Sequence, residues 1–107
     1  MTLISLEEAK AYLRVDSEDE DAMISSLILS AGNLAKDVGR LTDEKWEAVS
    51  SEPDEEDSTE VISLRDSLRI AVLYAIGYLY EHRDEADHHG LTLTLRSLLF
   101  SVREGII

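Results

Sequence analysis

Three histidines and three acids fall close together: His82, His88 and His89 beside Asp84, Glu85 and Asp87. That grouping invites a metal reading. A metal site needs ligands converging from a rigid frame, such as histidines four apart on one helix face. These six lie in a segment that reads as an interhelical loop and lack that spacing, so a solvated turn is the better reading. Asp16, Glu18 and Glu20 resemble the start of a calcium loop, but the sixth position is Asp21 rather than Gly and the twelfth is Leu27 rather than Glu. No Gly-x-Ser-x-Gly elbow and no glycine-rich phosphate loop occurs, and there is no cysteine for a thiolate nucleophile, a disulfide or a thiolate metal site. The abundant carboxylates lie in solvated runs, where their pKa values are expected to stay ordinary. The residues support no catalytic, cofactor or metal site, and an enzyme is not expected.

The elements that carry these residues read as helices. Ser5 and Glu8 have the spacing of a capping box, and Leu6, Ala9, Tyr12 and Leu13 share a side, which predicts a helix over residues 3–15. Ser17 and Glu20 have the same spacing at the head of a second helix. There Met23, Ile24, Leu27, Ile28, Ala31, Leu34, Ala35 and Val38 recur every three or four residues, with Gly39 as the stop. Residues 41–62 read as an acidic, mobile loop. One turn at residues 42–47 tucks Trp46 against the body, and deletion of residues 50–58 is expected to leave stability nearly unchanged. A third helix from about Ser63 is apolar on every side. Gly77 within it costs up to ~1 kcal/mol and points to the close approach of another helix. After a polar break at residues 81–90, a short helix over residues 94–103 is expected. The alternation Leu91, Leu93, Leu95 leaves a strand as the other option. The whole is an all-α, compact bundle of about four helices, with the acidic loop between helices two and three, in a single domain over residues 1–107.

Charge sets the class of partner. Twenty-three acids against ten Lys and Arg give a formal net charge of −13. Such a chain repels phosphate backbones and anionic membranes, so specific DNA binding and membrane binding are both disfavoured. The N-terminal residues lack a basic region before an apolar run, so a signal peptide is not expected. The longest apolar run, residues 70–80, is far short of the ~20 residues that a membrane span needs. A helix apolar on every side in so small a domain needs cover from a neighbouring subunit. Tyr74, Tyr78, Leu98, Leu99 and Phe100 are the candidate oligomer-interface residues.

The succession Leu6-Glu7-Glu8-Ala9-Lys10-Ala11-Tyr12-Leu13-Arg14-Val15-Asp16, an acidic cluster and a long helix ending in Gly39-Arg40 resembles the small head–tail connector proteins of long-tailed phages and prophages. These are also known as head-completion or DNA-packaging proteins. The apolar segment 69–83, closing on Tyr80-Glu81-His82-Arg83, and the tail Leu95-Arg96-Ser97-Leu98-Leu99 fit the same family in the same order. The acidic stretch is longer than in that family, and Ser101-Val102-Arg103 stands where many members have a Pro-rich ending. The resemblance implies a virion protein, made in the bacterial cytoplasm, that assembles with itself into a ring of about twelve copies beneath the portal protein. The ring would extend the DNA channel, let DNA pass without specific binding, and dock a tail-proximal head-completion protein. It implies no catalytic residue and no cofactor. The alternative from another class is an acidic mimic of DNA that inhibits a host nuclease or DNA-binding protein. A mimic should carry acids in regular rows along its helices, whereas fourteen of the twenty-three lie in two runs, residues 16–21 and 43–60.

Overall fold

Three of the described helices start where a side-chain oxygen replaces a missing backbone partner. Ser5 accepts from the Glu8 amide at 3.1 Å, and the Glu8 carboxylate accepts from the Ser5 amide at 3.3 Å, so the expected capping box opens α1 (Leu6–Leu13). Thr42 accepts from the Lys45 amide at 3.1 Å and opens α3 (Asp43–Ser50), and Ser58 accepts from the Val61 amide at 3.2 Å and opens α4 (Thr59–Glu81). The exception is α2 (Asp21–Val38), whose N-cap Glu20 makes no side-chain cap. The expected Ser17–Glu20 box does not form, because the Glu20 carboxylate instead accepts from the Tyr80 hydroxyl at the far end of α4. The fifth helix, α5, spans His89–Leu98. The computed structural model describes residues 3–82 and 89–100, and among these there are five helices and no strand.

The fold is all-helical, as expected, but the count is five rather than about four. Residues 41–62 are not one loop: α3 occupies their first half, and α4 begins within their last turn. α5 starts five residues before the expected Thr94, and the Thr94 hydroxyl, rather than capping, donates to the Gly90 carbonyl one turn back at 3.1 Å. The strand option for Leu91, Leu93 and Leu95 is not taken; Leu91 and Leu95 fall four apart on one helix face and are both fully buried. The rest of the expected closing helix, residues 101–103, lies outside the described residues, as do residues 83–88 of the expected break.

α4 is the central element. It packs most extensively on α2, and also touches α1, α3 and α5. Its buried face is Leu68, Ala71, Val72, Ala75 and Ile76, set against Ile24, Ile28, Ala31 and Ala35 on the buried face of α2. Leu64 and Leu79 are half-buried at the edge of that face, while Ile70 is 63% exposed. Trp46 is tucked in as expected: its ring lies 3.5 Å from where a Cβ on Gly32 would stand.

Both α1 and α2 end in a paired turn. At α1, the Arg14 and Val15 amides donate back to the Ala11 and Lys10 carbonyls; at α2, those of Arg40 and Leu41 donate to Asp37 and Lys36. This motif needs a left-handed residue, usually glycine. Here Arg14 (φ 61°) and Arg40 (φ 54°) take it, and Gly39 stays right-handed at φ −75°.

Among the described residues one cation is buried. Arg65 is only 8% exposed. Its guanidinium donates to the Val49 carbonyl and the Ala48 carbonyl, both at 3.2 Å, and pairs with Asp57 at 3.0 Å. It thereby satisfies two orphan carbonyls at the end of α3 and pins the acidic connection to α4. Within that connection the Asp54 side chain accepts from Glu56 and Asp57 accepts from the Asp54 amide, a folded turn. Deleting residues 50–58 would therefore strand a buried charge, contrary to the sequence-based expectation. Arg65→Ala is expected to cost about 2–5 kcal/mol, comparable to Ile76→Ala in the centre of the core, whereas Ile70→Ala should cost less than about 1 kcal/mol. Urea denaturation of the three variants checks that order.

Candidate functional site

Parallel packing of α1 beside the C-terminal half of α4 creates the main groove. Gly77 makes room for it: a Cβ there would meet the Tyr12 ring at 3.0 Å, the close approach that a glycine inside an apolar helix had implied. The groove encloses about 580 Å3 and is lined by Tyr12, Arg14, Tyr74, Tyr78, Tyr80, Glu81 and neighbouring residues. Tyr78 stacks on His82, with ring centroids 4.2 Å apart and planes at 28°. Tyr12 and Tyr74 stay substantially exposed. Rigid aromatic bodies with polar tips, flanked by one cation and one acid, suit the docking of another protein surface.

Of the candidate interface residues, the structure brings Tyr74 and Tyr78 together in this groove. Leu98 and Phe100 lie apart from it, at the end of α5, and both are exposed, Phe100 by 60%. Leu99 does not share that surface. It is fully buried, facing Gly39 and the core. Sequence reasoning missed Tyr12, which it placed on the inner side of α1, and it missed exposed Leu29, Ile62, Ile70 and Leu93. The signal for Ile62, Ile70 and Tyr74 was there in their spacing, since residues four or eight apart on a helix share a face. The histidine cluster is divided. His82 lies against Tyr78, His89 is in α5, and Asp84, Glu85, Asp87 and His88 lie outside the described residues. Among the described residues no group of three or more histidines and acids is placed to hold a metal ion.

Electrostatics tie α1 to its neighbours. Arg69 of α4 pairs with Glu8 and donates to the Leu3 carbonyl at 2.8 Å, and Lys10 pairs with Asp21 of α2 at 2.7 Å. The hydrogen bond from Arg69 holds the Glu8 carboxyl below the ordinary carboxylate range. The Asp54 amide, followed by Arg65, does the same for Asp57, and Lys36 does so for Asp43. A carboxyl whose pKa is lower folded than unfolded contributes stability above its unfolded value of about 4, lost as pH falls through the folded one. Melting temperature should thus hold from neutral pH to about pH 5 and drop as pH falls below about 4. Glu8→Gln should flatten part of that drop. A variant with an unchanged acid limb would show that the Glu8–Arg69 pair contributes nothing to it.

No curated protein and no solved structure matches the chain significantly. The family model described as phage gp6-like head-tail connector protein matches residues 3–106, nearly the whole chain and all five helices. No described helix is long and apolar enough to cross a membrane. The chain belongs to the phage gp6-like head-tail connector family.

Proposed function

We propose that the protein is a structural subunit that closes into a ring of about twelve copies beneath the portal. The ring lengthens the DNA channel and offers a docking surface to the tail-proximal head-completion protein. The observation that carries this reading is the family match over residues 3–106, which supports a structural connector role and assembly with other phage head and tail proteins. The exposed apolar side chains supply the attraction that such an assembly needs. The proposed contacts are exposed Tyr74 and half-buried Tyr78 in the groove, with exposed Leu98 and Phe100 at and just past the end of α5, and Leu99 holding their support from within the core. DNA slides through without specific binding because like-charged walls repel its phosphates. The DNA-mimic alternative gains no support from the placement of the acids. Glu8, Asp21, Asp43 and Asp57 are paired with cations of the same chain.

Closing a ring concentrates subunits that each carry −13 around one channel. Repulsion between exposed charges is screened beyond roughly 8 Å at physiological salt and far less at low salt. Sedimentation across a salt series should therefore show monomers or small oligomers at low salt and larger rings at high salt, high concentration or on portal-bearing capsids. Tyr74→Ala should weaken assembly while changing monomer stability by less than about 1 kcal/mol. If Tyr78→Ala destabilises the monomer as much as Ile76→Ala does, Tyr78 belongs to the core and not to the interface.

A further inference from the structure

The two ends of α2 differ in charge. At its N-terminal end the connection from α1 exposes Asp16, Glu18 and Asp19. At its C-terminal end Arg40 and Arg96, from α5, line one open cleft of about 270 Å3 together with Asp37, Val38 and Thr92. Neither guanidinium has an ion-pair partner among the described residues, whereas Lys10, Lys36, Arg65 and Arg69 each hold a carboxylate. One acid, Asp37, faces the cleft, so two arginines leave it locally positive on a strongly negative chain. Arg40 holds the left-handed position at the end of α2, with φ 54°.

The acidic segment and the basic cleft cannot meet within one molecule. α2 has 18 residues, and at about 1.5 Å per residue it holds them roughly 27 Å apart. We propose that the Arg40–Arg96 cleft receives the Asp16–Asp19 segment of a second copy of this chain. This contact rests on the ring reading and sets the orientation of neighbours, while the apolar contacts supply the attraction that survives high salt. Complementary patches at opposite ends of one molecule join head to tail, and such contacts close into a ring when the rotation between neighbours divides a full turn. Guanidinium forks grip carboxylates with two parallel hydrogen bonds, which fixes orientation as well as attraction. A nucleic-acid phosphate could occupy the same forks, but it would leave the acidic segment unanswered and would face the repulsion of the whole chain. A second copy satisfies both ends at once.

Charge reversal on the full-length protein tests this contact, because the general repulsion and the specific contact predict opposite signs. Asp16→Lys with Asp19→Lys lowers the net negative charge, which by repulsion alone would strengthen self-association. The proposed contact instead requires it to weaken, by about ten-fold or more in Kd at physiological salt. Arg40→Glu with Arg96→Glu should weaken it too, and an equimolar mixture of the two double variants should recover mixed oligomers in analytical ultracentrifugation. Circular dichroism and melting curves confirm that both variants fold. The contact is refuted if the lysine variant associates as well as the wild type, or if mixing restores nothing. Reduced retention on duplex DNA by the glutamate variant, with self-association unchanged, would assign the cleft to phosphate and likewise overturn it. Rings formed normally by both variants would remove this contact alone. A wild-type chain that never self-associates, even on portal-bearing capsids, would remove the ring reading itself.

Discussion

Close packing of α2 against α4 is the constraint on which the remaining structure depends. Both helices place alanines at the centre of their buried faces, Ala31 and Ala35 on one and Ala71 and Ala75 on the other, and all four are fully buried. Small residues let two helix backbones approach, and the larger Ile24, Ile28, Leu68, Val72 and Ile76 around them exclude water. The four tyrosines line the groove beside α1 rather than this interface, so aliphatic side chains carry the role. α1, α3 and α5 lean on this pair and bury only one or two residues each within their spans.

Short helices so placed need more than apolar contact to stay in position, and the few cations supply it. Lys10 joins α1 to α2, Arg69 joins α1 to α4, Lys36 joins the end of α2 to the start of α3, and Arg65 joins α3, its following loop and α4. Each lies at a seam between elements. Exposed ion pairs contribute little singly, but Arg65 is buried and hydrogen-bonded on every side, where loss of its partner would be costly. The acidity thus has two parts: a minority of carboxylates that hold the helices together, and a majority left to face solvent. Arg14, Arg40 and Arg96 lack a carboxylate partner among the described residues.

The sequence made legible whatever depends on neighbours within one or two helical turns. The Ser5–Glu8 box, the buried period of α2, the seat of Trp46 and the meaning of Gly77 all follow from local spacing. Long-range partners were invisible. Ser17 and Glu20 have the right spacing for a cap, yet Glu20 finds Tyr80 sixty residues away, and the local signal loses. Polar composition hid α3, because Thr42 caps it and Arg65 satisfies its far end across a separation of sixteen residues. Of the interface candidates, residue type singled out Tyr74, which is exposed, but nothing in the sequence separated Leu98 from Leu99. Adjacent helix positions point about 100° apart, and only the packed structure decides which one turns inward.

The central claim is that this connector works as a closed ring on the portal rather than as a single adaptor. Native mass spectrometry of the protein bound to isolated portal assemblies tests it most directly. Each added subunit contributes 12.0 kDa, so copy number is read without a structural assumption. A single dominant species carrying a full complement of about twelve subunits, with partial complements scarce, is the result expected of a ring that closes cooperatively. A ladder of low occupancies filling independently, or one copy per portal, would contradict it.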